Sequence, residues 1–183
     1  MSELIIIAGG TGQGKTRFVN GMLKNTLLKD ARGKDCYRPS GASRHQYIFD
    51  LNNEYIMPTE AAPAPYMRHT QANQKLFVET CKKLTGYTIV FEDASGFLRG
   101  KQAAELIRLI VQRRHNRNNW IILFHSINRI PPELMEYCNT FILFKTNDNL
   151  KDIDKKFKSQ VINTMFFKIK DAKNHSYLIY KML

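Results

Sequence analysis

Cysteine is scarce in this chain. Cys36, Cys81 and Cys138 are odd in number and far apart, which excludes a disulfide framework and any C-x-x-C metal site. No apolar run approaches the roughly 20 residues of a membrane-spanning helix. Residues 1–8 have neither the basic start nor the small-residue cleavage site of a signal peptide, so a cytoplasmic protein is expected. Acidic residues are few, 16 against 28 lysines and arginines, and the net charge of +12 points to a polyanionic partner, most often nucleic acid. Residues 145–183 contain nine lysines and four aspartates but no arginine or glutamate. Those lysines suit a protected sheet edge as well as they suit DNA. There is no repeat and no linker-like stretch, and 183 residues with 43% hydrophobic content can bury one core, so a single domain over 1–183 is expected.

Glycine, by contrast, is concentrated in one place. The run Gly9-Gly10-Thr11-Gly12-Gln13-Gly14-Lys15-Thr16 follows the apolar stretch Leu4–Ala8 and opens into Arg17-Phe18-Val19. It fits G-x-x-x-x-G-K-[ST], the phosphate-binding loop. A buried strand delivers the chain, glycines let the backbone wrap an anion, and the following helix aims its free N–H groups at it. Lys15 is expected to reach the β- and γ-phosphates of ATP, and the Thr16 hydroxyl to hold Mg²⁺.

After the loop, Thr16 to about Leu28 reads as a helix, with Phe18, Val19, Met22, Leu23 and Thr26 facing a sheet. Residues 29–45 are polar and basic, a surface loop or frayed hairpin whose Lys29, Arg32, Lys34, Arg38 and Arg44 suit a nucleic-acid backbone or plain solvation. Gln46–Asp50 is a strand, and Asp50, Asn52, Asn53, Glu54 and Tyr55 follow at its carboxyl end, as a functional edge or as a capped turn. Residues 56–69, with Pro58, Pro63 and Pro65, read as a loop. Thr70 to about Leu84 is a helix capped by Thr70, with Leu76, Phe77, Thr80 and Leu84 inward.

Tyr87–Phe91 has the look of a strand buried on both faces, and it ends in Glu92-Asp93. Paired carboxylates there suit a water shell around Mg²⁺ and the polarising of an attacking water. A helix from Leu98 to Arg117 ends in Arg108, Arg113, Arg114, His115 and Arg117, more cations than a helix dipole calls for. Trp120–Phe124 is another buried strand, ending at His125-Ser126, a γ-phosphate sensor or a structural polar pair. A proline-started helix over 131–137, a strand at Thr140–Phe144, a helix from about Leu150 to Lys168 and an edge strand His175–Tyr180 complete the chain.

In this order the motifs resemble the P-loop ATPases of the FtsK-HerA superfamily. The segment from Arg114-His115 through Ile121–Ser126, Pro131–Leu134 and Cys138–Phe144 carries the likeness, with Asp50 to Glu54-Tyr55 resembling the family's second strand and turn. It covers roughly residues 4–147, leaving a basic helix and edge strand at 148–183. The resemblance implies an α/β fold: a three-layer P-loop NTPase of the ASCE/RecA-like kind, with a mostly parallel central sheet flanked by helices. Within the superfamily the short chain is similar to viral genome-packaging ATPases. This implies a homo-oligomeric ring, pentamer or hexamer, that moves double-stranded DNA with ATP and Mg²⁺ in the host cytoplasm and docks on a portal or capsid vertex.

The expected site residues follow. Gly9, Gly10, Thr11, Gly12, Gln13, Gly14, Lys15, Thr16 and Arg17 bind the nucleotide; Thr16 and Glu92 hold Mg²⁺, partly through water. Asp93 and Glu92 share the work of activating water, with His125 and Ser126 as sensors. Arg114, Arg113 or Arg117 reaches into a neighbour's site. The family usually has Asp-Glu where this chain has Glu92-Asp93, so the two acidic roles stay open between them. A small-molecule or nucleoside kinase, and a nucleotide-gated adaptor that does not hydrolyse, are the competing readings.

Overall fold

The computed structural model describes residues 2–23, 28–29, 35–36, 45–50, 52, 54–55, 66–69, 74–96, 98 and 101–182. Leu4–Ala8 (β1) is buried along its whole length and leads through the glycine run into Lys15–Leu23 (α1). The helix does not continue to Leu28 as expected. The Leu23 carbonyl is taken by the Gln46 side-chain amide at 3.1 Å, and Leu28–Lys29 (β2) pairs antiparallel with Asp35–Cys36 (β3), a hairpin. Arg32, Lys34, Arg38, Arg44, Thr26 and Thr70 lie outside the described residues.

Gln46–Phe49 (β4), Tyr66–His69 (β5) and Thr88–Phe91 (β6) follow, with Gln74–Lys83 (α2) between the last two. Next come Lys101–Val111 (α3), Asn119–Phe124 (β7), Pro132–Glu136 (α4) and Thr140–Phe144 (β8). Leu150–Phe157 (α5), Gln160–Lys170 (α6) and Tyr177–Lys181 (β9) end the chain. Seven strands form one sheet in the order β5-β4-β6-β7-β1-β8-β9, parallel throughout except that β9 runs antiparallel to β8. The strand carrying His125 thus stands between the strand of the phosphate loop and the strand of the acids.

The continuous apolar runs are explained by two cores. Alternate residues of one strand point to opposite faces, and both faces are covered. Leu4, Ile6 and Ala8 pack with Phe77, Leu106, Trp120, Phe141 and Phe166 on one side; Ile5 and Ile7 pack with Phe18, Val19, Met22, Val90 and Leu123 on the other. This is the three-layer α/β arrangement.

Four local expectations are corrected. Tyr66–His69 is a strand, not loop; the prolines precede it, and an edge position beside β4 asks for only one row of ladder bonds. Leu76 is 48% exposed, and Phe77, Val78, Cys81 and Leu84 form the inward stripe of α2 instead. The helix from Leu98 to Arg117 is shorter: α3 tightens into a 3₁₀ turn over Gln112–Arg114, and Arg117 adopts φ 52°. The helix expected from Leu150 to Lys168 is two, because Lys158 turns left-handed (φ 48°) and Ser159 caps α6, its hydroxyl oxygen accepting from the Ile162 N–H at 3.4 Å. Among the described residues no helix is long and apolar enough to cross a membrane.

Candidate functional site

The glycine loop is pinned at its start from both sides. The Gly9 N–H donates to the Phe124 carbonyl at 3.2 Å and the Gly10 N–H to the Lys145 carbonyl at 2.8 Å. A β-carbon on Gly9 would stand 2.5 Å from that of Phe144, so only glycine lets the loop leave β1 there. Gly14, at φ 88°, turns the chain into α1.

Lys15 is buried, 4% exposed, and its Nζ donates to the carbonyls of Gly9 (2.8 Å) and Gly10 (2.9 Å) and lies 3.4 Å from His125 Nδ1. Burial lowers the ammonium's pKa, while Glu92, Asp93 and Glu54 act to raise it. Beside it, Thr16 Oγ1 lies 3.1 Å from Glu54 Oε2 and 3.3 Å from Glu92 Oε1. One hydroxyl proton cannot serve both carboxylates at once. The result is an all-oxygen donor set of the kind hard divalent cations prefer. Among the described residues no three His, Cys, Asp or Glu form a complete cage. A cation here would therefore take further oxygens from water and phosphate, as Mg²⁺ does.

Glu92 is 5% exposed and its pKa is pushed up to about 7, chiefly by burial and further by Glu54; hydrogen bonds from Tyr55 and Thr16 and the charge of Lys15 pull the other way. The Tyr55 hydroxyl donates to Glu92 Oε2. Tyr55 is itself held by Asp50, whose carboxylate accepts from the Glu54 N–H (3.0 Å) and the Tyr55 N–H (3.1 Å). The turn after β4 is thus both a capped strand end and a wall of the site. Asp93 takes φ 47°, a left-handed conformation that Asp tolerates better than most residues. Its Oδ1 lies 3.2 Å from His125 Nε2, so His125 bridges the lysine and the second acid.

Thr11, Gly12, Gly14, Lys15, Thr16, Arg17, Asn52, Glu54, Glu92 and His125 line a cleft of about 360 Å³. Asp93 and Ser126 open onto the adjoining cleft with Ser95, Gly96, His125 and Arg129.

Among solved structures, the genome packaging NTPase B204 of Sulfolobus turreted icosahedral virus 2, in complex with AMP, matches with TM-score 0.68 at 16% identity, over 98% of this chain and 92% of that one. The DNA-packaging ATPase B204 of Sulfolobus turreted icosahedral virus matches at 0.66 and 17% identity, with the same coverage. The chain has the fold of the viral genome-packaging NTPases. ATPases 2 and 3 of EssC from Geobacillus thermodenitrificans give 0.61 at 18% identity, over 98% of this chain and 37% of that one. No family model and no curated protein matches the sequence. The structural likeness falls on the group that the motifs resemble.

On this packaging-NTPase fold the expected residues separate into those that meet and those that do not. The loop, Thr16, Glu92, Asp93 and His125 converge. Ser126 does not join them: its hydroxyl donates to Asp148 and its oxygen accepts from the Asn128 N–H at 3.1 Å, capping a short turn. Arg113 is also excluded as a reaching arginine, being 3% exposed and bonded to Asn139 Oδ1 (2.7 Å) and the Tyr137 carbonyl (3.0 Å). Arg114 and Arg117 are exposed, but they precede β7 while His125 follows it, a strand length of about 20 Å at ~3.3 Å per residue. Tyr55 and Glu54, read from the sequence as part of a functional edge or a capped turn, join the site at a strand's carboxyl end, where such groups gather.

Proposed function

We propose that the chain is an ATPase that uses hydrolysis at subunit interfaces of a homo-oligomeric ring to move double-stranded DNA, as a genome-packaging motor does. The observation that carries this reading is the convergence, on one sheet edge, of a loop lysine, a threonine hydroxyl between two carboxylates, and a second acid bridged to that lysine by His125. It is supported by the fold shared with B204, which has been solved with AMP, ATPγS and AMPPCP. The charge of +12 supplies phosphate-backbone contacts without base reading.

In this mechanism Lys15 exchanges the carbonyls of Gly9 and Gly10 for phosphate oxygens. Thr16 and Glu92 hold Mg²⁺, which when bound neutralises charge on the phosphates. Glu92 is kept in place by Tyr55. Asp93, more exposed and on the far side of His125, orients the attacking water and takes up its proton. Arg114 of a neighbouring subunit stabilises charge on the transferred phosphoryl. The paired acids favour water over a small acceptor hydroxyl and so favour an ATPase over a kinase.

The test is phosphate release with and without double-stranded DNA, read beside the particle mass in solution. A several-fold stimulation in a ring-sized species, reduced to background by Lys15→Ala, is expected. A rate indifferent to Lys15→Ala would sink the reading.

A further inference from the structure

The turn before β9 comes back to the phosphate loop from the far end of the sequence. Pairing of Tyr177 with Phe144 brings residues 173–176 to the same edge of the sheet as the glycine run. There the His175 N–H donates to Gln13 Oε1 at 3.3 Å, and its imidazole Nδ1 lies 3.2 Å from where a β-carbon on Gly14 would stand. The turn is anchored twice more. Lys145 Nζ donates to the Ala172 carbonyl at 3.3 Å, and the Tyr177 ring packs edge-on against Phe18 with centroids 4.7 Å apart.

His175 itself is exposed and takes φ 66°, a conformation that glycine adopts most freely. Its ring is thus held against the loop while remaining open to solvent.

The order of strands gives the ligand its polarity. The acids follow β6, His125 follows β7, the glycine loop follows β1, and β8 and β9 lie beyond it. A nucleotide whose terminal phosphate faces Glu92 and Asp93 must trail its nucleoside toward β8 and β9. On the loop side the cleft is lined by Gly12, Gly14 and Arg17, and the His175 ring stands next to that lining, beside Gly14.

Taking the cleft as a nucleotide site, as proposed above, we infer that the turn before β9 is its base-binding rim, with the His175 imidazole stacking on the nucleobase. The basic tail then has a second use besides closing the sheet. It senses whether the loop holds a nucleoside triphosphate or bare polyphosphate. Stacking on a ring face tolerates any base, so adenine and guanine nucleotides are served alike.

The test is calorimetric titration of the full chain, with Mg²⁺, using AMPPCP and inorganic tripolyphosphate as separate ligands. His175→Gly, which suits the backbone conformation, should weaken AMPPCP about tenfold and leave tripolyphosphate unchanged; His175→Phe, which keeps a ring, should retain the parent affinity for both. Unchanged or tighter AMPPCP binding by His175→Gly would overturn the inference. So would equal weakening of both ligands, which would make the ring a prop for the loop. If the parent chain binds neither ligand, the nucleotide reading fails and the rim fails with it.

Discussion

The two edges of the central sheet both bury polar groups, and they do so in opposite ways. At the amino ends of the strands three asparagines are satisfied by the chain itself. Asn118 takes the Tyr87 N–H and gives to the Leu84 carbonyl, both at 2.9 Å; Asn119 takes the Glu3 N–H at 2.9 Å; Asn139 takes the Leu4 N–H at 2.8 Å and the Arg113 guanidinium at 2.7 Å. At the carboxyl ends Glu54, Glu92 and Asp93 crowd one lysine, one hydroxyl and one histidine, a second acid sits at positive φ, and a glutamate is pushed up to about 7. The carboxyl edge gathers acids around one lysine, one hydroxyl and one histidine at the mouth of a cleft, the crowding that marks a candidate ligand site.

Adjacent arginines make the comparison sharp. Arg114→Ala should lower ATP hydrolysis by ~10³ to 10⁵ with the melting temperature unchanged, the range for an arginine reaching across an interface. Mixing it with Lys15→Ala subunits should restore part of the rate, because each variant then supplies what the other lacks. No restoration at any ratio would remove the trans role. Arg113→Ala should do the reverse, costing about 2–4 kcal/mol of stability as a buried hydrogen-bond network opens. A stable Arg113→Ala protein would erase the distinction between the edges.

The smallest effect tests the acidic edge. Glu92 has its pKa raised in the folded chain from 4.5 to about 7. Between those values the folded state binds more protons than the unfolded one, so stability is full below pH 4.5 and is lost as pH rises through 7. With chelator present and no nucleotide, Glu92→Gln should flatten that decline and stabilise the protein at pH 8 by up to about 3 kcal/mol. Denaturant melts at pH 5 and pH 8 are the measurement. Identical pH profiles in parent and variant would place the strain elsewhere.

How much of this was readable beforehand depended on range. The strands next to the site were legible because both faces of each are covered, so that short β-branched and aromatic runs such as Leu4–Ala8 and Trp120–Phe124 are continuously apolar. The loop was legible because its chemistry is local. Tyr55 was legible only as one of two alternatives, since its partner Glu92 is 37 residues away and only parallel pairing of β4 with β6 brings the two strand ends together. The apolar stripe expected of α3 ends on Arg114, whereas Arg113 falls at helical spacing with the buried Ala103, Leu106 and Ile110, and Arg114, one step further round, is exposed. Tyr66–His69 was hidden by the prolines before it, whereas the break at Ser159 carried a cap signal in plain view and was outweighed by the apolar residues on either side.

The grip of Lys15 on Gly9 and Gly10 has a kinetic consequence. The lysine closes the loop on itself, so on the proposed function a triphosphate would take Lys15 from two carbonyls of a loop already held in shape. Capture is an exchange of contacts in an already ordered cradle, not the ordering of a slack one. Its speed is then governed by diffusion and charge steering rather than by the chain's own rearrangement.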